Sequence, residues 1–283
     1  MNPPRKRRLI VPAAITASVI AAVLLAGRAT PGDPTCPSTP QCGPLIWHEE
    51  FDPSPDGAPN PKHWGYDLGA TGWGNEELQE YTADRANSRV AQDGTLQIVL
   101  RERAGGAGYT SARLVSRGRV SIGHGYLEAK IQLPTVPASG VWPAFWLLGH
   151  AEAWPDSGEI DVLETVNGVN GYSTNIHGGP RHWQQFNWHE TTAVNDGEWH
   201  TYGVLIRSDR LQFFHDGNLV HTVTPAGMPP GGVWPFDVPD RRYYLILNMA
   251  MGGSYPGATD GTAALPATMR VDYVRYWGLG SDD

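Results

Sequence analysis

The sequence predicts an all-β protein, a two-sheet antiparallel β-sandwich of the jelly-roll type. Three observations carry that prediction. Short segments alternate apolar and polar residues, the period of a half-buried strand. Long helical periodicity is missing from Pro44 onward. Turn formers are abundant, with 34 Gly and 24 Pro in 283 residues, which suits many short strands joined by tight turns.

The N-terminus comes first. Arg5, Lys6, Arg7 and Arg8 precede an apolar run, "LIVPAAITASVIAAVLLAG" at 9–27. A positive cluster followed by an apolar run and small residues is the pattern of a secretory signal. Residues 1–29 are therefore expected to be removed on export, which places the mature protein outside the cell. The run is also as long as a membrane span, so an uncleaved anchor is the alternative. Residues 30–43, "TPGDPTCPSTPQCG", read as a Pro/Ser/Thr-rich linker. Cys36 and Cys42 are the only cysteines and are expected to close a small surface disulfide in an exported chain.

The rest, 44–283, reads as one domain, with no internal repeat and no break in composition. Its strand candidates include "TLQIVL" (95–100), "GYLEAKIQL" (125–133), "HTYGVLIR" (200–207), "RLQFFHDG" (210–217) and "MRVDYVRYW" (269–277). "FFHDGNLVHTV" carries a hairpin turn at Asp216-Gly217-Asn218.

Composition narrows the function. Hydrophobic residues at 40% support a real core, and the net charge of −8 comes without a basic stripe beyond the first ten residues. Nucleic-acid binding through phosphates is excluded on that ground. Eleven Trp and eleven Tyr against six Phe is a set able to stack and hydrogen-bond at once, as sugar rings require; a Trp-rich core is the plain alternative.

"WPDSGEIDVLETVNG" (154–168) is the segment that demands an explanation. It carries Glu159, Asp161 and Glu164 among Ile160, Val162 and Leu163. Burying carboxylates costs several kcal/mol unless they are paired or used. Residues two apart on a strand share a face, so Glu159 and Asp161 point the same way, while Glu164 has the wrong parity. A single β-bulge between Asp161 and Glu164 would bring it back. All three acids would then line one face, with the apolar residues in the core behind. Two glutamates on one face suit glycoside hydrolysis. The plain alternative is a solvated acidic edge, which these apolar flanks do not fit.

"GEIDVLE" resembles the E-x-D-x-x-E signature of family 16 glycoside hydrolases, in the form with an extra residue carried by laminarinase-like members. "WHEEFD" (47–52), "GWGNEELQEYT" (72–82), "YTSARL" (109–114), "GYLEAKIQLP" (125–134), "GVWPAFWLLG" (140–149), "VWPFDVPDRRYYLILNMAMGG" (233–253) and "VDYVRYW" (271–277) match in family order. The stretch 170–200 departs most. The resemblance implies a concanavalin A-like jelly roll with a concave substrate cleft, and a retaining endo-glycosidase acting on internal β-1,3 linkages of β-glucans. Glu159 would be the nucleophile, Asp161 its orienting neighbour and Glu164 the general acid/base. Trp142 and Trp146 would stack on sugars, core packing being the alternative for each. Trp154, Asn75, Arg113 and His177 would also bind substrate, and Trp234 would form a wall of the cleft.

No cofactor is required by this chemistry. The resemblance implies a structural calcium ion held by Glu50, Gly94 and Asp272. Zinc-type histidine spacing and a G-x-S-x-G elbow are both missing from the sequence. The expected partner is a β-glucan polysaccharide, the expected state a monomer, and stable membrane association is not expected once the signal is cleaved. Mixed-linkage β-1,3-1,4-glucan or a β-1,3-galactan is the alternative substrate. A non-catalytic β-glucan-binding protein is the alternative of another class, although such relatives lack the glutamates kept here.

Overall fold

A computed structural model describes Cys36 and residues 42–280, apart from 136, 137, 151, 152, 193 and 239. The expected signal, 1–29, and all of the expected linker but Cys36, Cys42 and Gly43 lie outside the described residues.

The described strands form the two-sheet sandwich that the alternating segments predict. One sheet runs Trp183–Gln184, Tyr172–Gly178, Glu159–Glu164, Val141–Gly149, Tyr243–Met251, Arg113–Val115 and Gly65–Tyr66, with Asn187–His189 also paired to Tyr172–Gly178. The other runs Asn218–Val223, Leu211–His215, His200–Ile206, Gly125–Gln132, Ala267–Leu279, Leu96–Glu102, Tyr109–Ser111 and Gln79–Tyr81. Cys42–Glu49 joins it along Ala267–Leu279, and Ser88–Val90 along Leu96–Glu102. The central pairings are antiparallel. Gln79–Tyr81 and Tyr109–Ser111 pair in parallel.

The core lies where the inner faces meet. Leu96, Ile98, Leu127, Ile131, Val204 and Phe213 come from one sheet, and Phe145, Leu147, Ile160, Leu245 and Leu247 from the other. Each is fully buried, and each burial contributes about 1.5–3 kcal/mol before entropy is counted. Tyr243–Met251 is buried at all nine positions, because it is central in its sheet and covered on both faces. Its sequence, YYLILNMAM, is accordingly a nearly unbroken apolar run.

The hairpin forms as expected. Asp216 (φ 48°) and Gly217 (φ 73°) make the two-residue turn between Leu211–His215 and Asn218–Val223. Positive φ at both positions is what a type I′ hairpin requires. Cys36 and Cys42 are disulfide-bonded. They pack on a separate cluster of Tyr126, Leu205, Phe214 and Trp277, so the bridge ties the N-terminal end of the described chain onto the sandwich.

Candidate active site

The bulge that the parity argument requires is present. Asp161 pairs with Trp146 and Leu163 with Phe145, so two steps on the acid strand match one on its neighbour. On the other side Asp161 pairs with Asn175 and Glu164 with Ser173, again one residue in excess. The face therefore switches once, between Asp161 and Glu164. Glu159, Asp161 and Glu164 all line one cleft of about 670 Å³. Ile160, Val162 and Leu163 are all buried in the core.

Each glutamate has an indole partner. Trp154 Nε1 donates to Glu159 Oε2 at 2.8 Å, and Trp142 Nε1 donates to Glu164 Oε1 at 3.0 Å. Asp161 sits between them, 3% exposed. His177 Nε2 lies 3.2 Å from Asp161 Oδ2 and 3.6 Å from Glu159 Oε1. His182 Nε2 lies 2.8 Å from His177 Nδ1 and fixes the ring from behind.

Burial pushes all three carboxyls above their ordinary values. For Glu159 the Asp161 charge adds to burial, while His177 and the Trp154 N–H pull the other way. For Asp161 a hydrogen bond with Glu159 opposes the burial. For Glu164 the Asp161 charge again adds to burial, against His177 and the Trp142 N–H. Buried, clustered carboxyls keep a proton available near neutral pH, as general acid catalysis requires.

The cleft has a second, cationic wall. The Arg113 guanidinium lies 5.0 Å from the Trp73 ring and 4.7 Å from the Trp146 ring. Trp146 Nε1 donates to Asn248 Oδ1 at 2.7 Å, and Asn248 Nδ2 donates to Tyr81 Oη at 3.0 Å. Asn75 lines the same cleft.

Most of the predicted site is thus gathered in one place: Trp142, Trp146, Trp154, Asn75, Arg113 and His177 all line the cleft with the three acids. Their postures differ from the simple picture of stacking platforms. Trp142 is only 8% exposed and offers its N–H to Glu164. Trp146 has Arg113 over its ring. Trp154 is the open platform, 51% exposed.

Trp234 is a correction. It does not line the cleft. It is buried in the core, stacked on Trp183 at 6.5 Å, with Nε1 donating to the Ser208 carbonyl at 2.8 Å. An indole whose N–H is satisfied by a main-chain oxygen has no need of solvent.

Trp73, Asn248, His182 and Tyr255 also line the cleft and were not singled out by sequence. Trp73 and Asn248 stand inside segments that carry the family resemblance, which is the signal that could have found them. His182 stands in the divergent stretch and gave none.

Two of the residues expected to hold calcium already have basic partners. Arg275 holds both carboxylate oxygens of Glu50 at 2.8 Å, and Asp272 pairs with Lys130 at 3.2 Å. The charge a cation would neutralise is already balanced by these two basic groups, and ligation by the Glu50 side chain would break a bidentate pair.

The model for "Glycosyl hydrolases family 16" matches residues 75–275. The chain belongs to this family. It is 35% identical over 253 residues to the "Beta-glucanase" of Rhodothermus marinus, covering 82% of this chain and 84% of that one. It is 33% identical to "Glucan endo-1,3-beta-glucosidase A1" of Niallia circulans, covering 87% of this chain but 39% of that longer protein. The solved endo-β-1,3-glucanase of Pyrococcus furiosus superposes with a TM-score of 0.72 at 33% identity, covering 84% of this chain and 95% of that one. The family assignment makes this chain a glycoside hydrolase, and its cleft is where that chemistry belongs.

Proposed function

We propose that this chain is an exported, retaining endo-β-1,3-glucanase. The observation that carries the reading is the bulged strand, which sets Glu159, Asp161 and Glu164 on the floor of one cleft. Glu159 attacks the anomeric carbon and Glu164 protonates the departing glycosidic oxygen. The glycosyl ester is then opened by a water whose proton goes to Glu164. Asp161 and His177 hold Glu159 in position, and the Trp154 N–H stabilises its charge. Trp154, Trp142 and the Trp73–Arg113–Trp146 wall bind the sugars, with Asn75 supplying hydrogen bonds.

The β-1,3 preference is supported by the names of the Niallia and Pyrococcus relatives. Export is supported by the basic-apolar N-terminus and by the Cys36–Cys42 bridge, since disulfides persist in oxidising compartments. The chain is taken to act as a monomer.

The test is a substrate panel of laminarin, lichenan and a β-1,3-galactan, with products sized and the first-formed anomer read by proton NMR. Internal cleavage of laminarin with β-anomer products is expected. Cleavage confined to lichenan or to galactan would move the substrate to one of the alternatives, and binding without cleavage would make the chain a glucan-binding protein. An α-anomer as first product would overturn the retaining mechanism.

A further inference from the structure

Away from the cleft, the strand His200–Ile206 and the hairpin Leu211–Val223 bring two histidines and an aspartate together. Tyr202 pairs with His215, and His200 stands two residues before Tyr202, so His200 and His215 project from the same face. His200 Nδ1 lies 2.7 Å from Asp216 Oδ2, and His215 Nε2 lies 3.8 Å from that same oxygen. The three donor atoms all fall within 4.8 Å of one another. The rings are tucked in, at 11% and 12% side-chain exposure, while Asp216 is 44% exposed and leaves one side open to solvent.

Two details separate this group from an ordinary surface ion pair. His215 Nε2 is buried and makes no hydrogen bond, a cost that a structure retains only with a reason. His200 Nε2, the nitrogen turned away from Asp216, lies 3.3 Å from both carboxylate oxygens of Asp196. A carboxylate behind the imidazole is the arrangement that orients metal-binding histidines and fixes their tautomer.

We propose that His200, His215 and Asp216 bind a zinc-class divalent cation, with Asp196 as the positioning residue behind His200. Two imidazole nitrogens and one carboxylate oxygen suit zinc and its late first-row neighbours rather than calcium or magnesium. Ligand atoms around tetrahedral zinc stand about 3.3–3.5 Å apart. The 2.7 and 3.8 Å that separate the two imidazole nitrogens from Asp216 Oδ2 bracket that value. The fourth position falls to water on the open side. The bound cation would pin the His200 strand to the hairpin turn, and its role is structural.

The test is titration of the tag-free protein with zinc chloride, followed by calorimetry and thermal unfolding, with laminarin hydrolysis measured in parallel. One zinc per chain is expected, with a rise in Tm of about 4 °C or more at saturation and unchanged hydrolysis. Asp216→Asn should abolish the rise without unfolding the chain. Asn accepts the positive φ of this turn, and its Oδ1 can still take the Thr201 N–H that Asp216 Oδ1 accepts at 2.8 Å. His200→Gln should do the same. A wild-type protein that binds no zinc overturns the proposal. So does zinc binding that survives both substitutions and inhibits hydrolysis, since Glu159, Asp161 and His177 also stand close enough to chelate a cation.

Discussion

The acid strand and the Trp73–Arg113–Trp146 wall line the same cleft, yet the chain builds them in opposite ways. The acids come from six consecutive positions, and one bulge aims all of them. The wall comes from the loop before Gln79, from Arg113–Val115 and from Val141–Gly149, and exists only after three segments are folded together. The difference is chemical as well. The acid strand gathers negative groups that burial makes expensive, which is where reactivity is stored. The wall gathers flat rings, which cost little to bury and offer faces to a sugar, and one guanidinium whose charge Asp67 pairs at 3.3 Å.

The largest effect expected therefore falls on the strand. Glu159→Ala and Glu164→Ala should each lower kcat on laminarin by roughly 10³-fold or more, since each removes a group that forms or breaks bonds in the transition state. The two should part company on rescue. With a good leaving group and added azide, Glu164→Ala should yield a β-glycosyl azide and Glu159→Ala the α-product. Retention of most activity by both variants would remove the strand from the mechanism.

Next comes the indole that touches the strand without belonging to its acids. Trp154→Phe keeps a ring and removes the N–H on Glu159. A hydrogen bond to a charged group is worth about 1.5–3 kcal/mol, so kcat/KM should fall roughly 10-fold or more, with the loss concentrated in kcat. A change in KM alone would make Trp154 a sugar platform and nothing else.

At the wall the expectation reverses. Arg113→Met keeps the length of the side chain and removes the cation between two rings. With about 1 kcal/mol for such a contact, KM on laminarin should rise roughly 5-fold while kcat stays near wild type. A kcat loss as large as that of Trp154→Phe would erase the contrast between the two regions.

The same contrast explains what the sequence disclosed. Alternation, turn residues and the Asp216-Gly217 hairpin are local, so the sandwich was legible. The bulge was legible because parity and burial conflicted at Glu164, and only one local irregularity resolves the conflict. The aromatic residues were half legible. Trp142, Trp146 and Trp154 were placed at the cleft, but their postures depend on partners far along the chain: Asn248 for Trp146, Glu164 for Trp142. Trp234 was misplaced for the same reason, since the Trp183 ring and the Ser208 carbonyl that bury it lie 51 and 26 positions away. The grouping of His200, His215 and Asp216 was invisible, because strand pairing rather than spacing brings it together.

The smallest effect expected is on stability, and it turns on pH. In the folded chain the Glu164 carboxyl is raised from 4.5 to about 8 by burial and by the charge of Asp161. Between those values the native state keeps a proton that the unfolded state has released. Stability then falls as pH rises through that window, because the unfolded state binds fewer protons than the native one. Asp161, raised from 3.8 to about 8, pushes the wild-type curve the same way, so the informative quantity is a difference between proteins. Glu164→Gln carries no proton equilibrium at this position, and its amide oxygen can still accept the Trp142 N–H. It should match the wild type in Tm near pH 4 and gain on it steadily as pH approaches 8. Arg113→Met, which alters the wall and leaves the acids in place, should show no such pH-dependent gain. If the Tm difference between Glu164→Gln and wild type were the same at both pH values, Glu164 would not be a carboxyl raised by burial, and the acid strand would lose the electrostatic feature that sets it apart from the wall.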